Sequence, residues 1–336
     1  MELALRFISE ADFSDLRRIN DLVMEMKNEI DSSLAPMGHI YASSRAGRFN
    51  SRSKRIEEKW GGLSQIEFVH QLAQYDTAEV VKKLKYLQEK ICGAGLIVNL
   101  TGCALDTAGA EIAKHFSRFG PPTPRPAVSA SLEERAKAEV FASQSLQVGF
   151  AAIALNSAPF DTPQQLAEMV LTHQLSTGAL WEEIRMKGGA YGAFVNSDSL
   201  ENCAAFATYR DPTPLRSLDV ISAILKNSSG GDFIQKYCDE DHLEKSIIGC
   251  YAKETRPKTS AENGLVDFYR FLYGVEDIYR KNKLKRLISV TGADIAAAFA
   301  SLGSRPLTGG PIVIAGLKKA EEAAKALGTE VQILPV

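Results

Sequence analysis

One stretch of the sequence stands apart for chemistry: Leu180-Trp181-Glu182-Glu183-Ile184-Arg185-Met186-Lys187-Gly188-Gly189-Ala190-Tyr191-Gly192-Ala193-Phe194. It reads as a helix end that empties into a glycine loop and then a strand. Gly188, Gly189 and Gly192 let another backbone approach closely and permit positive φ. Arg185 and Tyr191 set directed N–H and O–H donors beside that opening. Such a place suits an extended peptide or a developing oxyanion. A plainer reading stays open on the same residues. It is a Schellman-type helix stop, with Arg185 in a surface ion pair and Tyr191 half-buried.

Other chemistries find no support. A helical zinc site needs two histidines four residues apart. His39, His70, His115, His173 and His242 include no such pair. This chain alone is therefore expected to hold no catalytic metal. There is no G-x-S-x-G elbow and no P-loop. Cys92-Gly93-Ala94-Gly95-Leu96-Ile97-Val98 has two glycines of a dinucleotide fingerprint, but Val98 stands where the third belongs. The five cysteines include no C-x-x-C pair. They read as reduced and mostly buried, which favours a reducing compartment.

Composition narrows the class. Lys and Arg number 39 against 41 Asp and Glu, a net charge of −2. That balance leaves no electrostatic footprint for nucleic acid. Apolar residues at 45% and charged residues at 24% are an ordinary globular mix. No apolar run reaches the roughly 18 residues of a membrane span. Met1–Asp15 carries four acidic residues and no secretory pattern, so the expected location is cytoplasmic.

The elements that must position the site follow from periodicity. Residues 1 to about 85 read as helical. Leu16, Ile19, Leu22, Met26 and Ile30 line one face, and Asp12 is the expected cap. The basic run Ser43–Lys59 reads as a solvated face, or else as a contact surface for a partner domain. Ile91–Leu100 reads as a strand, followed by a helix over Asp106–Phe116. Gly120–Pro126 reads as a linker or an extended surface crossing. Val140–Leu155 is a long β-type run. Thr162, Pro163 and Gln165 form a helix start with a capping box. A short helix spans Leu180–Met186. Ala190–Ser197 and Cys203–Tyr209 pair as strands. Helices are expected over Leu215–Leu225, Asp239–Arg256, Gly264–Leu287, Asp294–Leu302 and Lys318–Leu327. Pro311–Ala315 and Val331–Leu334 are the last strands. Clustered strands between runs of helices predict an α+β fold, a mixed or antiparallel sheet covered by helices and preceded by a helical segment.

The chemistry-bearing stretch also resembles a known family. Leu180-Trp181 through Ile184-Arg185, with Gly188-Gly189-Ala190-Tyr191-Gly192-Ala193, is similar to the C-terminal signature of pitrilysin/insulinase-type zinc metalloendopeptidases, in the presequence-protease and falcilysin branch. Tyr209-Arg210-Asp211-Pro212 fits the same branch, as do Gly38-His39, Tyr41-Ala42 and Arg45-Ala46. The resemblance implies a longer enzyme with two related halves enclosing a chamber. The first half carries zinc in an H-x-x-E-H motif, which this chain lacks. The second half closes the chamber.

On that resemblance, residues 1–88 are the tail of a preceding domain and 89–336 a C-terminal pitrilysin-like domain. Arg185 and Tyr191 would bond the substrate carbonyl oxygen as charge develops. Gly188, Gly189, Ala190 and Gly192 would let the substrate backbone lie close. The implied partners are an N-terminal zinc-bearing half and an unstructured peptide, with no nucleic acid and no membrane. The alternative is a non-catalytic scaffold or assembly subunit of the same fold.

Overall fold

The computed structural model describes residues 2–103, 105–117, 119, 137–228, 236 and 239–336. The expected crossing at Gly120–Pro126 lies outside them, as does Cys238. The chain forms two compact units that interleave along the sequence. One comprises Met1–Lys27, Val69–Ser129 and Arg256–Asp277. The other comprises Asn28–Phe68, Ala130–Thr255 and Ile278–Val336.

The second unit is built on a six-stranded mixed sheet. Its strands are β1 (Glu139–Ala142), β2 (Phe150–Leu155), β3 (Gly192–Asp198), β4 (Cys203–Tyr209), β5 (Ile312–Ala315) and β6 (Val331–Ile333). The spatial order is β3-β4-β2-β5-β1-β6. β1 runs parallel to β5 and β6, while β2 is antiparallel to β4 and β5. β3 and β4 form the expected antiparallel pair, with Gly192 opposite Tyr209 and Asp198 opposite Cys203.

Period-two alternation divides the sheet's side chains between two cores. Val140, Ala151, Ile153, Phe206 and Val313 face one buried cluster with Val170, Leu171, Leu180, Ile184 and Phe299. Phe141, Ala152, Ala154, Ala207, Ile312 and Ile314 face the other, with Leu34, Tyr41, Leu63 and Ile66. Both faces are covered, which is why all six residues of β2 are buried. Each fully buried large side chain contributes about 1.5–3 kcal/mol relative to exposure.

Local chemistry explains most boundaries. Thr162 Oγ1 accepts from Gln165 N at 3.2 Å and starts the helix Pro163–Thr177. The reciprocal half of the expected box lands one residue earlier, because Gln165 Oε1 accepts from Asp161 N. Thr291 and Asp294 form a complete capping box for Gly292–Ser304. Gly38 lies against the Phe150 ring, and a Cβ there would collide with it.

Five expectations change. The helix Leu16–Gly47 is capped by Asp15, which accepts from Arg18 N at 2.9 Å, while Asp12 bonds Ser14 instead. Ile91–Leu100 is not a strand: Ile91 and Cys92 finish the helix Thr77–Cys92, and Gly95–Leu100 joins no ladder. The run Val140–Leu155 is two strands, parted by a turn around Gln144–Gln147. Gly264–Leu287 is two helices, Ser260–Tyr273 and Asp277–Leu287, because Gly274 takes φ 66° between them. The basic run is not wholly solvated. Arg45 meets Glu139 at 2.8 Å and Glu58 at 3.0 Å, and Arg48 meets Glu139 at 2.8 Å, all largely buried.

Cys203 and Cys250 are buried, and burial pushes each thiol up to about 11. Cys92 is half-buried and Cys103 exposed. No single described helix is long and apolar enough to cross a membrane.

Candidate functional site: the helix exit at 181–192

The helix Pro163–Thr177 stops at Gly178, and a single π-helical turn follows over Trp181–Met186. Its wide spacing is visible in the bond from Lys187 N to Glu182 O, 3.0 Å. A π-turn inserts one extra residue and commonly marks functional sites. The exit then closes like a Schellman cap widened by one residue. Gly189 N donates to Arg185 O at 2.9 Å and Ala190 N to Ile184 O at 3.2 Å. Leu180, Ile184 and Ala190 are buried and anchor the turn. Arg185 is left outside.

The three glycines do different work. Gly189 has φ 79°, the left-handed conformation that an exit of this kind requires. Gly188 is crowded: a Cβ there would strike the Ile184 carbonyl and the Arg216 guanidinium. Arg216 needs that space to donate to Glu183 O at 3.1 Å, satisfying a carbonyl of the π-turn. Gly192 has ordinary φ and only van der Waals neighbours from Tyr209.

Arg185 is exposed and makes no side-chain hydrogen bond or ion pair with a described residue. The nearby carboxylates are taken by another cation. Lys187 meets Glu183 at 2.6 Å and Glu182 at 3.0 Å. Those contacts, Glu183 first, hold the Lys187 ammonium above its ordinary value. Tyr191 is 69% exposed. Its backbone is fixed by a bond from Tyr191 N to Tyr209 O, 3.0 Å, so the phenol stands on the ordered end of the β3–β4 pair. Both donors thus reach solvent from one helix exit.

A second guanidinium was not singled out from sequence. Arg210 is exposed and sits at φ 47°. Its guanidinium lies 5.6 Å from the Tyr209 ring centroid and 6.0 Å from that of Tyr191. The corner it occupies is pinned by reciprocal Gly149–Asp211 main-chain bonds of 2.7 Å and by Thr213 N donating to Asp211 Oδ1 at 2.8 Å. The available signal was the string Tyr209-Arg210-Asp211-Pro212. Only the fold brings it beside Tyr191.

A phenol and an unpaired guanidinium can polarise and orient a carbonyl, but they cannot bind a metal cation. Among the described residues, no three of His, Cys, Asp and Glu are grouped to hold an ion. Zinc therefore does not fit this chain's described side chains. His39 packs edge-on to Tyr209 and Phe194, and burial lowers its pKa. His173 is lowered by burial and then by Lys253.

Comparison with known proteins matches this architecture. The family model described as the PreP C-terminal domain matches residues 145–314, just over half the chain. A second model, described as a peptidase-associated region, matches residues 1–72. Presequence protease 1, chloroplastic/mitochondrial, of Arabidopsis thaliana is 27% identical over 299 residues, covering 85% of this chain and 27% of that protein. The mitochondrial presequence protease of Aspergillus fumigatus is 27% identical over 323 residues, covering 91% of this chain and 30% of its own length. The chain thus spans less than a third of the curated relatives it matches. The crystal structure of pitrilysin superposes with a TM-score of 0.60 at 13% identity, over 92% of this chain and 32% of that one. A conserved protein from Enterococcus faecalis V583 gives 0.56 at 15% identity, over 88% and 67%. These two likenesses establish the fold. The matched models and the sheet they fall on lead to one conclusion: the chain belongs to the PreP C-terminal domain family, as a C-terminal part of a pitrilysin-type peptidase.

Proposed function

We propose that this chain is the substrate-binding, chamber-closing part of a zinc metalloendopeptidase that degrades peptides, with the metal supplied by an N-terminal half outside this chain. The observation that carries the reading is the pair of exposed donors, Arg185 and Tyr191, held at a rigid glycine-bordered exit with no carboxylate partner among the described residues. An unpaired guanidinium and a free phenol can bond a peptide carbonyl oxygen and strengthen that bond as negative charge develops. Their anchors, Ile184 in the core and Tyr191 N on β4, fix both before substrate arrives, so little reorganisation is needed. Gly188, Gly189, Ala190 and Gly192 present backbone with little side-chain bulk, along which an extended peptide can lie.

The test is Tyr191→Phe and Arg185→Ala in the complete enzyme, assayed on an unstructured peptide. Each should lower kcat by about 10²–10³-fold, roughly 2.7–4 kcal/mol of barrier. Melting temperature should not change, because both side chains are outside the core. Unchanged turnover would defeat the assignment and favour a non-catalytic assembly role for the same fold.

A further inference from the structure

The first compact unit contains a segment with the composition of a strand and none of its bonds. Leu96-Ile97-Val98-Asn99-Leu100 is apolar and rich in β-branched residues, yet it joins no ladder. Its main-chain groups make no hydrogen bond with another described residue. Ile97 and Val98 are 50% and 46% exposed. Leu96, Val98 and Leu100 face a cavity of about 420 Å³ with Ile112 and Phe116. A second cavity of about 650 Å³ lies along residues 97–102 and is closed by Asn263, Phe268 and Phe271.

The segment is held in place although it is unpaired. Asn99 Nδ2 donates to Gly264 O at 3.2 Å, and Gly264 is small where Thr101 abuts it. The helix that carries Gly264, Ser260–Tyr273, buries none of its residues, and its Phe271 is 75% exposed. Exposed apolar side chains flanking unpaired strand-type backbone are what a sheet edge offers to an added strand. The described residues of this unit form helices and this one segment, with no sheet of their own. The curated relatives, of which this chain matches 27–31%, have the additional polypeptide from which such strands can come.

We propose that Leu96–Leu100 is an interaction surface, completed as a β-strand by a strand of the polypeptide that carries the zinc-bearing half. This rests on the function proposed above. Main-chain pairing would supply the bonds, and Ile97, Val98 and Phe271 the buried apolar contact.

The experiment is amide hydrogen exchange on this chain alone and with the zinc-bearing half co-expressed, joined to it or as a second polypeptide. Alone, amides 97–100 should exchange at nearly unprotected rates. In the assembly they should slow by about 100-fold or more. Val98→Pro, which deletes one donor at an exposed position, should leave the melting temperature of this chain unchanged and weaken assembly about 10-fold or more. A peptidase-active assembly with unprotected amides 97–100 overturns the strand and spares the functional reading. Concentration-dependent protection in this chain alone makes a second copy the occupant and also overturns it. No assembly and no activity with the zinc-bearing half overturns both.

Discussion

The guanidinium of Arg210 lies 6.0 Å from the ring centroid of Tyr191, and the residue that places it there has a left-handed backbone, φ 47°. Two effects therefore oppose at one position. An exposed cation–ring contact is worth about 0.5–1 kcal/mol, while left-handed backbone costs a non-glycine residue about 1–2 kcal/mol. Arg210→Gly loses the contact and relieves the backbone, so urea unfolding should shift by less than about 1 kcal/mol. Arg210→Ala loses the contact only and should be the less stable variant by about 1 kcal/mol. Equal stabilities would count against backbone strain at this corner.

The exit glycines should separate by position. Gly188→Ala meets the Ile184 carbonyl and Arg216, and Gly189→Ala is forced to φ 79°. Each should cost about 1–3 kcal/mol by urea titration. Gly192→Ala meets only ordinary contacts and should stay within about 0.5 kcal/mol. A large loss at Gly192 would mean that its backbone freedom matters in some other way.

Glu168 is fully buried beneath the end of β3. It accepts from Ala158 N at 3.0 Å, Ser197 Oγ at 2.6 Å and Arg305 at 2.6 Å. Glu168→Ala strands a largely buried guanidinium and should cost about 3–5 kcal/mol. Glu183→Ala breaks a surface pair with Lys187 and should cost no more than about 0.5 kcal/mol. Similar losses at the two sites would contradict this account.

Stability should fall in mild acid. Burial lowers the folded-state pKa of His39, and burial followed by Lys253 lowers that of His173. The unfolded chain then binds protons first as pH drops below about 6.5. The contribution of these neutral imidazoles is complete above that value and is lost as pH falls toward their folded values. Unfolding free energy measured between pH 7.5 and 5 should decline below about 6.5. It should decline less in the His39→Gln/His173→Gln variant. Identical slopes would remove these histidines as the cause.

Some features were decided by the sequence alone, and they are those that depend on neighbours in the chain. Thr162-Pro163 and Thr291 start helices because their side chains reach backbone amides three residues on. The strands around 192–209 are legible from alternation and tight connection, and the glycine exit from its composition. Other features needed partners distant in sequence. Arg45 and Arg48 belong to a solvated run until Glu139 arrives to pair them. Phe150 fixes the size allowed at residue 38 from more than a hundred residues away. Arg210 stands beside Tyr191 only because β3 and β4 pair. Leu96–Leu100 has strand propensity, but a strand exists only when a neighbour completes its hydrogen bonds, and no described residue of this chain does so. Local hydrogen bonds and periodicity can be read along the chain, whereas burial, ion pairing and sheet completion are properties of what the fold brings into contact.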